Sequence, residues 1–224
     1  MSGYTKSGIK WRVLANNTTA DDYGNKGILL LADQALFADT FNVTGGGNQW
    51  RKGDNTDSSK IRKDLTSVTD GSESSAVAVP KKTVINADGT IEWGSFAGDA
   101  FNAKEYAAIA DTTHDAGGET SSGHDISTTD KLFLLSYEEA KNTAYGFSDN
   151  LKRRATPTDL ARNVKMYDNT GVACVETSGA AWWWLRSPGN AGSAARYVDS
   201  YGNVGVGTSV GHFDGPVRAA LNLD

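Results

Sequence analysis

From Gly189 to Asp224 the chain is written in a restricted alphabet: GNAGSAARYVDSYGNVGVGTSVGHFDGPVRAALNLD contains no Lys, Glu, Gln, Trp or Met. Those five types supply 30 of the 224 residues, so a stretch of this length would hold about five of them at average composition. A segment built from small and polar residues contributes little to folding, and the stability has to come from fixed residues beside it. Trp182, Trp183, Trp184 and Leu185 stand immediately upstream, and one buried Trp removes roughly 150–250 Å² from water. In a strand Trp182 and Trp184 point one way and Trp183 the other. Val198, Val204, Val210 and Val217 read as inward pegs within the tail. The five missing amino acids share a property of the genetic code: no codon ending in a pyrimidine encodes them. Replacing the two adenines of an AAC or AAT codon at random therefore yields this alphabet, and ordinary Gly-rich loop composition is the competing account.

The rest of the composition bounds the function. Hydrophobic content of 38% and charged content of 22% describe a globular protein long enough for a substantial core. A net charge of −5 argues against nucleic acid as a partner, because neutralising phosphates requires a basic face. Cys174 is the one cysteine, so no intrachain disulfide forms, and it reads as a small buried hydrophobe. No apolar run approaches the roughly 18 residues of a membrane span, so membrane insertion is not expected. MSGYTKSGIKWRVL lacks the apolar stretch of a secretory signal, so synthesis in the cytosol is expected.

Along the chain, Ile9, Trp11 and Val13 alternate with Lys10 and Arg12 at the period of a half-buried strand. GILLLA, residues 27–32, is continuous enough for a strand covered on both faces. Asp33 is placed to cap a short helix over QALFADTF, residues 34–41. In SSKIRKDL, residues 58–65, Ile61 and Leu65 make one apolar stripe on a short helix. Residues 83–86 read as a strand next to a tight turn at Asp88-Gly89. Asn102 with Glu105 makes a capping box for a helix through Ala110, and Ser136 with Glu139 makes another through Thr143. Residues 111–130 read as a long exposed loop, residues 131–136 as a buried strand, and a further helix follows Thr158. Short strands interleaved with short helices favour an α+β fold. Neither an internal repeat nor a break in composition divides the chain, so one domain over residues 1–224 is expected, with the Trp182–Leu185 and Val217–Leu223 strands sharing one sheet.

Two runs are distinctive: WWWLRSPG at 182–189 and VRAALNL at 217–223. With IKWRVL at 9–14, SSKIRKDL at 58–65, FNAKEYAAI at 101–109 and DKLFLLSYEEA at 130–140, they cover nearly the whole chain in order. The chain thereby resembles a family of bacterial and phage domains whose ends read WWLRSPG, a variable Gly- and Asn-rich stretch, and GVRPALNL. Members of that family are target proteins of diversity-generating retroelements. The chain departs from the pattern by a third Trp, Trp182, and by the shift of the proline to Pro216.

The resemblance implies a C-type-lectin-like fold: short twisted antiparallel strands, short helices and long loops that hold varied side chains on one exposed face. It implies a protein or cell-surface macromolecular ligand, with the hypervariable region at 189–215 rewritten by a reverse transcriptase. A phage virion tail or a bacterial surface, reached through a larger assembly, are the settings it suggests. The candidate ligand-binding residues are Asn190, Ala191, Gly192, Ser193, Tyr197, Asp199, Ser200, Tyr201, Gly205, Gly207, Thr208, Gly211, His212, Phe213 and Asp214, all reachable from an Asn codon. Tyr supplies contact area at low entropic cost, and small neighbours let it approach. Ala194, Ala195, Gly202 and Gly215 are assigned to packing and turns, and Arg186 to a carboxylate at the base of the loops.

Other chemistries fit less well. His114-Asp115 and His124-Asp125 lie in a polar stretch without the close spacing of a preorganised metal site, and Asp54-Asn55-Thr56-Asp57 lacks the calcium-loop pattern. Gly205, Gly207 and Gly211 do not make GxGxxG. Lys81-Lys82 and Arg153-Arg154 are short charge pairs typical of solvated surface. One cysteine cannot supply the pair that formylglycine-generating enzymes use, the sugar-binding motifs of calcium lectins are missing, and no triad is assignable. A binding module with no catalytic residue, cofactor or metal is the expectation. The alternative is a non-diversified structural or cell-surface module of the same fold.

Overall fold

The computed structural model describes residues 8–17, 19, 24–43, 46–50, 59–67, 80–115, 127–162, 179–211 and 215–224. Strand β1 (Trp11–Asn17) pairs antiparallel with β2 (Gly27–Ala32), with a bulge between Val13 and Ala15. Leu29, Leu30, Leu31 and Ala32 are buried in succession, the pattern of a strand covered on both faces. The residues expected as a helix after Asp33 instead form β3 (Phe37–Asp39) and a bridge from Ala35 to Pro157. Capping potential at Asp33 is local, whereas pairing of this segment with the chain's far end satisfies its backbone and buries Leu36 and Phe41.

Helix α1 (Lys60–Thr66) forms where expected: the Ser59 hydroxyl accepts from Arg62 N, and Ile61 and Leu65 are fully buried. The hairpin β4 (Val84–Ile85) and β5 (Ile91–Glu92) closes around the Asp88-Gly89 turn. Helices α2 (Phe96–Ala100) and α3 (Ala103–Ala107) follow, the second opened by the Asn102/Glu105 capping box. It stops before Ala110 because Ile109 bridges to Leu223 and Ala110 N donates to Asn222 O.

The stretch expected as an exposed loop contains the hairpin β6 (Thr112–Asp115) and β7 (Ser127–Asp130). Alternate polar residues of the two strands, Thr112, His114, Thr128 and Asp130, are buried. Asp130 is fully buried, accepting from Arg62 Nε (3.0 Å) and Nη2 (2.7 Å), Trp50 Nε1 (2.9 Å) and Thr128 Oγ1 (2.9 Å), with His114 Nε2 3.2 Å away. Burial pushes its carboxyl up, but His114 and Arg62 outweigh that and hold it well below the usual range. The expected strand at 131–136 is shorter, β8 (Leu132–Phe133), with Leu134 and Leu135 buried beyond it.

Helix α4 (Tyr137–Lys141) carries the Ser136/Glu139 capping box, and a 3₁₀ turn follows at Thr143–Tyr145. Short helices α5 (Asn150–Arg153) and α6 (Asp159–Arg162) precede β9 (Trp183–Pro188), β10 (Ala194–Val198), β11 (Val204–Ser209), β12 (Gly215–Val217) and β13 (Ala220–Leu223). The sheets are antiparallel, in the orders β1-β2-β13-β8 and β11-β10-β9, with β12 paired to β3. The architecture is α+β. The expectation of one shared sheet for the Trp strand and the last strand is corrected: β9 and β13 lie in different sheets. β9 pairs with β10 inside the varied stretch, whereas β13 finds distant partners and inserts between β2 and β8. Trp183, Trp184, Leu185, Val217 and Ala219 nevertheless share one core.

Candidate ligand-binding surface

Both signature runs are scaffold. Trp183 and Trp184 are fully buried and point to opposite sides of β9. Trp184 Nε1 donates to Asp39 O at 3.0 Å, with Trp182 edge-on at 4.8 Å and Phe41 at 5.7 Å. Trp183 Nε1 donates to Arg153 O at 3.1 Å, and the Arg218 guanidinium sits 5.1 Å from a Trp183 ring. The additional Trp182 precedes the strand and packs on Trp184 and Tyr197.

Arg186 meets the carboxylate anticipated for it. Its Nη1 donates to Glu139 Oε2 (2.5 Å) and Leu134 O (2.7 Å), and its Nε to Asp115 O (3.0 Å). The same Glu139 oxygen accepts from Ser136 N at 2.7 Å, so one carboxylate closes the α4 capping box and fixes the strand. Burial raises the Glu139 carboxyl, yet Arg186 more than compensates and leaves it below its ordinary value. Ser187 Oγ accepts from Tyr137 N, and Pro188 O accepts from Arg196 Nε. In the final run, Arg218 Nε donates to Ala32 O (2.7 Å) and Asn222 Nδ2 to Lys26 O (2.7 Å). Burial, then the nearby Arg12 charge, lowers the Arg218 guanidinium to about 9. Pro216 faces Ala38 in a two-stranded ladder, where a strand with one unpaired edge tolerates a missing N–H.

On this frame the candidate residues divide. The β9–β10 turn exposes Asn190, Ala191, Gly192 and Ser193. It is held from below: Asn48 Nδ2 donates to Ala191 O at 2.8 Å, Asn190 N to Val206 O at 3.2 Å, and Val210 N to Ser193 O at 2.9 Å. Thr208 and Gly211, each half-buried, lie toward this end of the sheet, because Ala195 pairs with Thr208 and Ala194 with Ser209. Val206 also belongs here, 63% exposed beside Asn190, and was missed. Strand periodicity does not find it: Val204 and Val206 fall on the same face of β11, so an inward Val204 predicts an inward Val206, and the structure leaves Val204 half-buried and Val206 exposed.

The β10–β11 turn carries Asp199, Ser200 and Tyr201 at the opposite end of the sheet, about 13 Å away at 3.3 Å per residue along β10. Tyr201 is 62% exposed, whereas Ser200 is buried. Asp199 shapes its own turn, accepting from Tyr201 N (2.9 Å) and Asn203 N (2.8 Å). Tyr197, opposite both Trp184 and Gly205, is half-buried on the Trp182 side. Gly205 lies against the Tyr197 ring, and Gly207, at φ 143°, has Gly189 Cα 3.0 Å from where a Cβ would stand. Of the positions assigned to packing, Ala195 is fully buried, Gly202 adopts φ 89° against Asn150 O, and Gly215 abuts Trp182 and Trp184. His212, Phe213 and Asp214 lie outside the described residues, as do Cys174, His124-Asp125 and residues 54–57.

Among the described residues no cluster of three His, Cys, Asp or Glu side chains suits a metal ion, and no helix is long and apolar enough to cross a membrane. What the fold and surface define is an α+β domain with a buried Trp and Arg frame that carries exposed turns of small and polar residues. Residues 85–224, more than half of the chain, match the family described as a domain of unknown function, DUF6273, and the chain belongs to it. No curated protein and no solved structure matches the chain.

Proposed function

We propose that this chain is a ligand-binding variable protein with a C-type-lectin-like fold, whose 189–215 region is diversified by a retroelement reverse transcriptase for recognition of a protein or cell-surface macromolecule. A phage receptor-binding or bacterial surface adhesion role fits that chemistry. The observation that carries the reading is the separation of labour around β9. Its own side chains are buried and hydrogen-bonded, while the turn it leads into exposes four consecutive small or polar residues held by backbone bonds and by Asn48. Side chains that make no contribution to the frame are free to change.

The surface this favours is the end of the sheet formed by residues 190–193, Val206, Thr208 and Gly211. Tyr201 forms a separate contact point at the other end. The alternative, a non-diversified module of the same fold, draws support from Asp199, Gly205 and Gly207, whose local geometry ties them to the frame.

Sequencing the gene's surroundings separates the two: a reverse transcriptase beside a near-copy of the 3′ end, differing only at adenines, is expected under diversification. A binding screen against bacterial surface components then compares the chain with a version carrying Asn at positions 191, 192, 193, 201 and 208. The partner should change while the melting temperature holds. Equal binding by both versions would place recognition elsewhere.

A further inference from the structure

A second concave surface lies away from the β9–β11 turns. It is an open trough of about 1470 Å³, and no residue between 189 and 211 lines it. Its floor is aromatic: Phe37 stacks on Phe96 at 5.0 Å, Phe96 meets Phe101 edge-on at 6.4 Å, and Phe101 stacks on Trp11 at 6.4 Å. At the mouth Trp93 is 73% exposed and Leu160 64% exposed, so large apolar side chains face solvent where the surface is also concave. Contiguous exposed apolar surface of this kind marks a contact site.

The rim is acidic. Asp64, Asp99 and Glu105 line the trough against two lysines among the described residues, Lys10 and Lys60, with the buried Asp39 beneath Lys60. Lys60 is already engaged, bridging Asp39 and Asp64. Asp99 accepts from Thr83 N and Oγ1, and Glu105 from Asn102 N, bonds that orient these carboxylates. A cation is therefore favoured by the carboxylates. The volume exceeds the roughly 300–1,000 Å³ of small-molecule pockets, which suits a chain segment better than a compact ligand.

We propose that this trough is a second binding site, which takes an extended peptide alternating apolar side chains with lysine or arginine. The apolar side chains cover the Phe37–Phe96–Phe101–Trp11 floor, and the cations reach the carboxylate rim. Because the trough shares no lining residue with the β9–β10 turn, the two sites stand or fall separately.

The test uses the full chain and three fluorescein-labelled peptides of about eight residues, one alternating Leu and Lys, one Leu and Glu, one Ser and Lys, read by anisotropy. Saturable binding of the Leu-Lys peptide is expected, with the other two weaker by about tenfold or more. Asp64→Lys and Trp93→Ser, both at partly or well exposed positions and checked by thermal melts, should each weaken the Leu-Lys peptide by about tenfold. Leu160→Glu is the further variant should either fail to fold. Substitutions at Ala191 and Ser193 should leave this affinity unchanged. Equal binding of the Leu-Lys and Leu-Glu peptides, no saturable binding, or undiminished binding in the trough variants would overturn the proposal.

Discussion

Trp184→Ala and Tyr201→Ala put the division between frame and surface on one scale. Trp184 is fully buried, contacts Trp182 and Phe41 edge-on, and hydrogen-bonds Asp39 O. Truncation removes the ring's burial and leaves a cavity, together worth about 3–5 kcal/mol, and the lost hydrogen bond adds about 1 kcal/mol. For a chain of this size 1 kcal/mol moves the melting temperature by roughly 2–4 °C, so a drop of roughly 10–20 °C is expected. Tyr201 is largely exposed on a turn whose bonds come from Asp199 and the backbone, not from the Tyr ring. Its truncation should stay within about 0.5 kcal/mol, or less than roughly 2 °C. Calorimetric melts of the two variants beside the parent decide the matter. If Tyr201→Ala melts as low as Trp184→Ala, the turn is part of the core and the argument for a tolerant surface collapses.

The buried Arg62–Asp130 pair should behave asymmetrically. Asp130→Ala removes the carboxylate bonded to a fully buried guanidinium and should cost about 3–5 kcal/mol in urea denaturation, whereas Arg62→Met with Asp130→Leu should cost distinctly less. A double variant as unstable as the single one would refute this. Asp39 should set a pH dependence of the opposite sign to most acids. Burial, then a hydrogen bond shared with Asp64, raises its carboxyl to about 7 against the opposing pull of Lys60. The folded state holds a proton that the unfolded state releases near pH 4, so stability should fall as pH rises from about 4 to 7, by up to about 4 kcal/mol, and Asp39→Asn should flatten that decline. An unchanged slope in Asp39→Asn would assign the effect to another group. Among glycines, Gly202→Ala should cost more than about 1 kcal/mol, because φ is 89° and the Cβ would meet Asn150 O, while Gly192→Ala, with open space around it, should be neutral. Equal melting temperatures for the two would contradict the turn geometry.

Signals confined to a few residues were legible in the sequence. The Asn102/Glu105 and Ser136/Glu139 capping boxes, the Ile61/Leu65 stripe, the Asp88-Gly89 turn and the opposed faces of Trp183 and Trp184 are each set by neighbours within one turn or one strand. Pairings across the chain were not. Residues 34–41 have helical features on their own, and only the presence of Gly215–Val217 alongside makes Phe37–Asp39 a strand. Residues 112–115 and 127–130 look like exposed polar loop because their burial depends on Arg62 and Trp50, far back in the sequence. For the candidate surface, composition indicated which residues are small and polar. It did not indicate that two successive turns must leave an antiparallel sheet at opposite ends, and this separates Ser193 from Tyr201.

The sheet order β1-β2-β13-β8 has a bearing on where this protein can be cut. The match to the DUF6273 family spans residues 85–224. Yet β13 hydrogen-bonds β2, β12 pairs with β3, Trp184 leans on Asp39 and Phe41, Asp130 is neutralised by Arg62, and the β9–β10 turn hangs from Asn48. A fragment beginning at residue 85 would thus carry the whole displayed surface while lacking its keel. It would bare the β13 edge to other chains and take the Arg62 guanidinium from the Asp130 carboxylate, leaving it His114. The border of similarity and the border of the foldable unit do not coincide, and any library that displays variants of the turns must be built on the longer chain.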